Sequence, residues 1–222
     1  MPMQLFHVLN RGVEGRPLFL DDSDHVRFVH DLYAFNDEAI ALPHVRRKES
    51  NVGCPTPYIR KRLVEVHGWC LVKNHYHLIL SELIEGGMSL FLKKINGGFA
   101  NYFNARYERA GALFQGKTKR VLVESEAQFL YLLHYVHFNA FDVLGVRDWR
   151  IRDRGGIKDA ARALHELETY RWSSYLDYIG KKNFPSILTT NLFDTAYGGY
   201  AASAEEFLKE SEENAFAASC LE

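Results

Sequence analysis

Hydrophobic and polar positions along the chain follow two periods, which predicts a mixture of strands and helices. Alternating or short apolar runs predict strands at 4–10, 63–71 and 75–82, and a short strand that ends near 121–123. Apolar residues three and four apart predict helices at about 22–36, 88–109 and 125–138, with more helical stretches at 159–169, 173–179 and 203–214. This order predicts an α/β (α+β) sandwich in which helices pack on an antiparallel or mixed sheet.

Two segments interrupt the pattern. Residues 37–62 have no clear period and combine prolines with two clusters of Arg and Lys, which predicts an inserted basic loop. Residues 145–158 are rich in Gly, Arg and Asp and predict a charged loop. We expect one domain over residues 1–180 and a helical C-terminal extension over residues 181–222.

Length and composition fit one folded domain with an extension. The 222 residues, 47% of them hydrophobic, suffice for one sizeable core. The sequence has no apolar run of about 18 residues that would span a membrane, and its first residues lack the pattern of a signal peptide. Cys54, Cys70 and Cys220 have no metal-like spacing and are expected to be reduced thiols. We therefore expect a cytoplasmic protein without membrane contact.

The net charge of −1 hides an uneven distribution. Residues 44–120 contain 14 Lys and Arg against 5 Asp and Glu, a balance of +9, so the rest of the chain carries −10. A positive region of this size suits a polyanionic partner such as nucleic acid, although charges that cluster in sequence need not cluster in space.

Two histidines lie in the middle of this basic region. His75 and His77 are two residues apart within a predicted strand, so they share one face while Tyr76 points to the other. A neutral imidazole is the commonest metal ligand in proteins, and two of them on one strand form half of a metal site. The alternative is a pair of strand histidines that face solvent or form hydrogen bonds.

The third predicted helix carries a second set of chemical groups. Tyr135 and Asn139 are four residues apart and share one face, with Tyr131 a turn earlier. A phenol can act as a nucleophile, and an amide oxygen suits Mg²⁺ or Mn²⁺. Aromatic core packing is the alternative for both tyrosines. His134 and His137 could ligate zinc, but we expect them to be groove or surface histidines, because no Cys or carboxylate accompanies them.

Seven short segments, in order over about residues 5–180, give the chain a resemblance to a known family. It resembles the REP-associated tyrosine transposases, which are single-tyrosine members of the HUH (His, hydrophobic, His) superfamily. The segments are His7-Val8-Leu9-Asn10-Arg11-Gly12, Pro17-Leu18-Phe19-Leu20-Asp21-Asp22, Asn74-His75-Tyr76-His77-Leu78-Ile79-Leu80, Asn101-Tyr102-Phe103-Asn104, Leu113-Phe114-Gln115-Gly116, Tyr135-Val136-His137-Phe138-Asn139 and Arg171-Trp172-Ser173-Ser174-Tyr175.

The resemblance implies a ferredoxin-like HUH fold, with helices packed on a central, mostly antiparallel sheet, and the activity of a DNA endonuclease and strand transferase. It implies that His75, His77 and Asn139 bind Mg²⁺ or Mn²⁺ and that Tyr135 is the nucleophile. The enzyme would cleave and rejoin single-stranded DNA at REP-like hairpins through a covalent 5′-phosphotyrosine, as a nucleoid-associated monomer or homodimer. The chain departs from the family at Ala140, where a proline is usual and would help to end the helix.

Substrate binding is expected to combine phosphate contacts with stacking of bases on aromatic rings. For each single Lys or Arg, a solvated surface charge is the alternative. The candidates for backbone contacts are Arg11, Lys117, Lys119 and Arg120, followed by Lys93, Lys94, Arg106 and Arg109.

Three other functions remain open from the sequence. A replication-initiator or relaxase-type nickase would use the same chemistry, and Tyr131 would be its second tyrosine. A catalytically silent regulator would bind DNA hairpins without cutting them. A two-histidine hydrolase would need a carboxylate nearby, and Glu82 lies at an odd offset from His77, which places it on the opposite strand face.

Overall fold

One antiparallel sheet forms the centre of the computed structural model, which describes residues 4–39, 60–146, 149, 157 and 159–209. The predicted loop at 37–62 lies mostly outside these residues, as does most of the predicted loop at 145–158. The strands are β1 (Leu5–Arg11), β2 (Val64–Val72), β3 (His75–Glu82) and β4 (Lys119–Leu122), and they lie side by side in the order β2-β3-β1-β4. Each neighbouring pair of strands is antiparallel.

Two helices join these strands and pack on one face of the sheet. They are α1 (Asp22–Ala34), which Asp21 caps through its side chain, and α2 (Gly87–Arg106). The chain order β1-α1-β2-β3-α2-β4, with the spatial order above, is that of a ferredoxin-like fold. This confirms the predicted fold class: helices pack on a central antiparallel sheet.

Gly98, near the middle of α2, shows how closely α1 and α2 approach each other. A Cβ atom on Gly98 would lie 2.4 Å from Cε2 of Phe35, the residue that ends α1, whereas one on Gly97 would meet open space. Gly98 therefore permits the contact between α1 and α2, at the cost of a weaker helix interior.

Strands β2 and β3 form a hairpin around Lys73 and Asn74. From His75 to Ser81 every residue of β3 is buried, because helices cover both faces of the sheet. This explains why the segment is continuously apolar around its histidines instead of alternating with charged residues.

A third helix covers the other face of the sheet. Helix α3 (Glu126–Phe138) starts with a capping box in which the Ser125 hydroxyl accepts from the backbone of Gln128 and the Gln128 side chain reaches back. A Cβ atom on Gly68 of β2 would lie 2.9 Å from Cδ1 of Leu133, so the glycine lets α3 approach the sheet. The short helix α4 (Phe141–Leu144) follows directly.

The C-terminal part packs against α3 and the outer edge of β2. It contains α5 (Ala160–Leu167), α6 (Tyr175–Tyr178), α7 (Asn191–Tyr197) and α8 (Tyr200–Lys209). Helix α7 was not predicted, α8 begins three residues before the predicted start, and the predicted end near 214 lies outside the described residues. Among the described helices, none is both long and apolar enough to cross a membrane.

Candidate active site

The pairing of β1 with β3 places three histidines on one face of the sheet. His77 pairs with Leu9, and His75 pairs with Arg11, so their side chains emerge on the face that α3 covers. His7 pairs with Ile79, which makes it the diagonal neighbour of His77 on the same face. All three imidazoles are buried.

The imidazoles of His75 and His77 lie next to each other. Their ring centroids are 4.8 Å apart and the ring planes are nearly perpendicular. Nδ1 of His75 donates to Oδ1 of Asn74 at 2.7 Å. Since an amide oxygen only accepts, this bond places the proton of a neutral ring on Nδ1 and its lone pair on Nε2, the atom that a metal ion would use.

His7 lies edge to edge with His77, nearly in one plane, and is joined to it by a hydrogen bond. The ring centroids are 5.1 Å apart with planes 4° from parallel, and His7 Nε2 lies 2.9 Å from His77 Nδ1. Thus both members of the H-x-H pair use Nδ1 in a hydrogen bond within the protein.

Helix α3 presents Tyr135 to these rings. The Tyr135 ring stands edge-on to His7 at 5.6 Å and to His77 at 5.7 Å, and 4% of the residue is exposed. Tyr131, a turn earlier, stacks on Tyr135 at 5.7 Å. Trp149 lies 6.3 Å from the Tyr135 ring. The phenol and the histidine pair, which are 58 residues or more apart in sequence, therefore form one cluster.

Asn139 lies one turn after Tyr135 and is wholly buried. Its Nδ2 donates to the carbonyl of Tyr135 at 2.7 Å, so Oδ1 is the atom it could offer to a metal ion. Asn139 and Ala140 keep right-handed helical dihedral angles, and α4 begins at the next residue. The chain therefore stays helical past the position at which the family has a proline.

His134 and His137 are buried in the C-terminal part, so the expectation of surface or groove histidines is wrong. Nε2 of His134 lies 3.1 Å from Oγ of Ser203. His137 bridges the Tyr200 hydroxyl at 2.8 Å and the Ser174 hydroxyl at 2.7 Å, and burial lowers its pKa well below the usual value of 6.5. Local sequence patterns could not predict these partners, because they lie 37 or more residues later in the chain.

The carboxylate of Glu82 has another role. It is exposed at the end of β3, and Oε1 accepts from the backbone N–H of Met88 at the start of α2. In the described part of the chain, no group of three or more His, Cys, Asp and Glu side chains is arranged to hold a metal ion. An ion at His75 and His77 would therefore need oxygen ligands of other kinds.

Two predicted basic residues lie on the same sheet face as the histidines. Arg11 pairs directly with His75 across the β1–β3 ladder, and it is exposed. Lys119 pairs with Leu9, which also pairs with His77, so Lys119 and His77 lie in one row, two strands and roughly 10 Å apart. Both cations therefore flank the histidine cluster.

Three other basic residues line a cleft on the opposite face. The cleft has a volume of about 420 Å³. Asn10 and Asn96 both donate to the Thr118 hydroxyl, at 3.1 and 2.9 Å. Its lining residues are Asn10, Ser89, Leu92, Lys93, Asn96, Phe114, Gly116, Lys117, Thr118 and Arg120. Cations, amides and an aromatic ring without a lining carboxylate suit a nucleic-acid strand.

The remaining basic candidates contact the protein itself. Lys94 donates to the backbone carbonyls of residues 37–39. Arg106 bonds the carboxylates of Asp21 and Asp24. Arg109 donates to the Asn104 side chain and to a loop carbonyl. These contacts give the three side chains a structural role that their charge in the sequence did not reveal.

The chain is similar to a REP-associated tyrosine transposase bound to a REP hairpin, with a TM-score of 0.48 and 11% identity over 84% of this chain and 85% of that chain. That protein is of the family that the sequence motifs resemble. No family model and no curated protein matches the sequence. The strand order defines the fold, and the side-chain contacts described above define the candidate site.

His7 and Trp149 were absent from the residues proposed from the sequence. His7 could have been found in the sequence, because it begins the first motif of the resemblance. It also lies on the same face of β1 as Leu9 and Arg11, the residues that pair with His77 and His75. Trp149 gave no such signal, because it stands within a charged, non-periodic segment.

Proposed function

We propose that the protein is a single-tyrosine endonuclease and strand transferase that cleaves single-stranded DNA at hairpin sequences and rejoins it. The observation that carries this proposal is the contact of the Tyr135 ring with His7 and His77, beside His75. The family resemblance of the motifs supports the choice of DNA, and the cations around the site and in the cleft fit its phosphates.

A donor set of two imidazoles and an amide oxygen suits a divalent metal ion. His75 and His77 would hold it through Nε2, and Asn139 through Oδ1. Water and phosphate oxygens would complete the ligands, as Mg²⁺ and Mn²⁺ prefer. When bound, the ion would orient a non-bridging oxygen of the scissile phosphate and offset the charge that builds up there.

Tyr135 performs the chemical step in this proposal. Its Oη forms a bond to phosphorus while the bond from phosphorus to the 3′ oxygen breaks. The phenol proton passes to solvent, and the leaving 3′ oxygen takes a proton from solvent. The 3′ part of the strand stays attached as a 5′-phosphotyrosine, which keeps the phosphoester for attack by another 3′-hydroxyl. Arg11 and Lys119 would bind phosphates on either side.

Covalent capture of DNA tests the proposal. The whole chain would be incubated with hairpin oligonucleotides and Mn²⁺ and then analysed on a denaturing gel. A label at the 3′ end should move with the protein, and a label at the 5′ end should appear in a shorter free strand. Tyr135→Phe should abolish the adduct, and the matched change Tyr131→Phe should retain it.

Two outcomes would overturn the assignment. An adduct that survives in Tyr135→Phe and is lost in Tyr131→Phe would favour the nickase with Tyr131 as nucleophile, which the stacking of the two rings makes a specific alternative. Tight hairpin binding by the wild-type chain without any adduct in Mn²⁺ or Mg²⁺ would favour the catalytically silent regulator.

A further inference from the structure

The hydrogen bond between His7 and His77 restricts the way in which His77 can bind a metal ion. A neutral imidazole has one protonated and one unprotonated ring nitrogen. In the 2.9 Å contact between His7 Nε2 and His77 Nδ1, one nitrogen must donate and the other must accept. If Nδ1 of His77 donates, its lone pair lies on Nε2. If Nδ1 accepts, Nε2 carries the proton and cannot bind a metal ion.

The tautomer of His75 indicates which tautomer of His77 would place both metal-binding lone pairs on Nε2. The amide oxygen of Asn74 forces His75 to donate through Nδ1, and the lone pair of His75 therefore lies on Nε2. His77 would match it only when His7 accepts. Histidines that bind metals usually donate their other ring N–H to a neighbouring acceptor, which fixes the tautomer and the ring orientation.

We infer that His7 is a positioning residue, which accepts a hydrogen bond from Nδ1 of His77 and so holds the lone pair of His77 on Nε2 for a divalent cation. The two rings lie nearly in one plane, with centroids 5.1 Å apart, so the bond also holds the orientation of the His77 ring. The wholly buried His7 side chain touches both His77 and Tyr135, so it also sets the distance between the ligand and the nucleophile. This inference rests on the proposed function, because it assigns His77 to a metal ion.

The first test measures Mn²⁺ binding to the whole chain by isothermal titration calorimetry, without DNA. His7→Phe keeps an aromatic ring in the same space but removes the acceptor, and it should weaken Mn²⁺ binding about 10–100-fold. His7→Gln places an amide oxygen near the position of Nε2, and it should restore affinity to within a few-fold of the wild type.

His67→Phe is the matched control. His67 is also buried on β2 within the same sheet, and it bonds the Ser81 hydroxyl at 2.8 Å and the Thr189 carbonyl at 3.0 Å. The His67→Phe variant should be less stable, but the Mn²⁺ affinity of its folded chain should stay within about twofold of the wild type. If the loss of any buried histidine weakened Mn²⁺ binding through stability alone, His67→Phe would lower both stability and Mn²⁺ affinity. Equal Mn²⁺ affinity in His7→Phe and the wild type would refute the inference.

The second test needs no variant of His7. Two-bond ¹H–¹⁵N spectra of the wild-type chain with labelled histidine report which ring nitrogen is protonated, and His77→Gln assigns the signals. A proton on Nδ1 of His77 supports the inference, and a proton on Nε2 overturns it. If the wild-type chain binds no Mn²⁺, the proposed metal site fails, while the spectrum still decides the direction of the hydrogen bond.

Discussion

Replacing His137 with Phe should make the stability of the protein less dependent on pH between 7.5 and 5.5. His137 is wholly buried on α3, and burial lowers its pKa well below 6.5. The folded protein therefore favours the neutral form of His137, while the unfolded chain takes up a proton as the pH falls through about 6.5. Stability from this residue is complete above pH 6.5 and decreases as the pH falls.

The size of the effect follows from linkage. Because burial lowers the folded pKa well below the unfolded value near 6.5, this histidine lowers the free energy of unfolding by up to about 1.4 kcal/mol between pH 7.5 and 5.5. The substitution also removes the bonds to Tyr200 and Ser174, of 2.8 and 2.7 Å, and leaves the buried Tyr200 hydroxyl without the partner it has there. At pH 7.5 we expect a loss of about 2–4 kcal/mol.

Urea unfolding of both chains at pH 7.5 and 5.5 gives the stability that each loses between these pH values, and the difference between the two losses is the contribution of His137. Contributions from other histidines, including the partly buried His25 and the buried His67, cancel between the two chains. His165, whose side chain is 82% exposed, provides the control His165→Phe. If His137→Phe lost as much stability between pH 7.5 and 5.5 as the wild type does, His137 would not contribute to the pH dependence of stability.

Two further predictions concern helix packing and DNA binding. In thermal melts, Gly97→Ala should raise stability by up to about 1 kcal/mol, because its Cβ would meet open space. Gly98→Ala should lower stability by about 1–3 kcal/mol, because its Cβ would overlap the phenyl ring of Phe35 at the end of α1. Equal effects of the two changes would contradict this packing. The double change Lys117→Ala with Arg120→Ala should weaken hairpin binding and reduce the slope of log K against log salt by up to about 2. The control Lys181→Ala should leave that slope unchanged, and an unchanged slope in the double variant would exclude phosphate contacts in the cleft.

Local periodicity was sufficient to predict half of the site. The strand period places His75 and His77 on one face whatever the partner strand, and the helical period places Tyr135 and Asn139 on one side of α3. The family resemblance supplied the prediction that this helix face meets that strand. The capping box at Ser125 marks the start of α3 in the sequence itself.

The other contacts depend on pairings that local patterns do not encode. His7 meets His77 only because β1 and β3 pair in one register, across 70 residues of sequence. Likewise, the sequence shows that Arg106 is charged but does not show that Asp21 and Asp24 will bind it. Net charge over 44–120 therefore overstated the number of cations available to DNA.

The packing of the C-terminal helix bears on the chemistry of the site. Helix α3 is buried between the sheet and α8, where Phe207 contacts the rings of Tyr131 and His134, and Ser203 bonds His134. A catalytic group must be held within about 0.5 Å of its productive position by side chains that are themselves fixed. The sheet fixes the histidines through backbone pairing, but the position of Tyr135 depends on how α3 rests on the sheet. Contacts from α8 on the opposite side of α3 therefore help to set the distance between the proposed nucleophile, Tyr135, and the proposed histidine ligands. In that proposal, the C-terminal segment supports the site without contact with the reacting atoms.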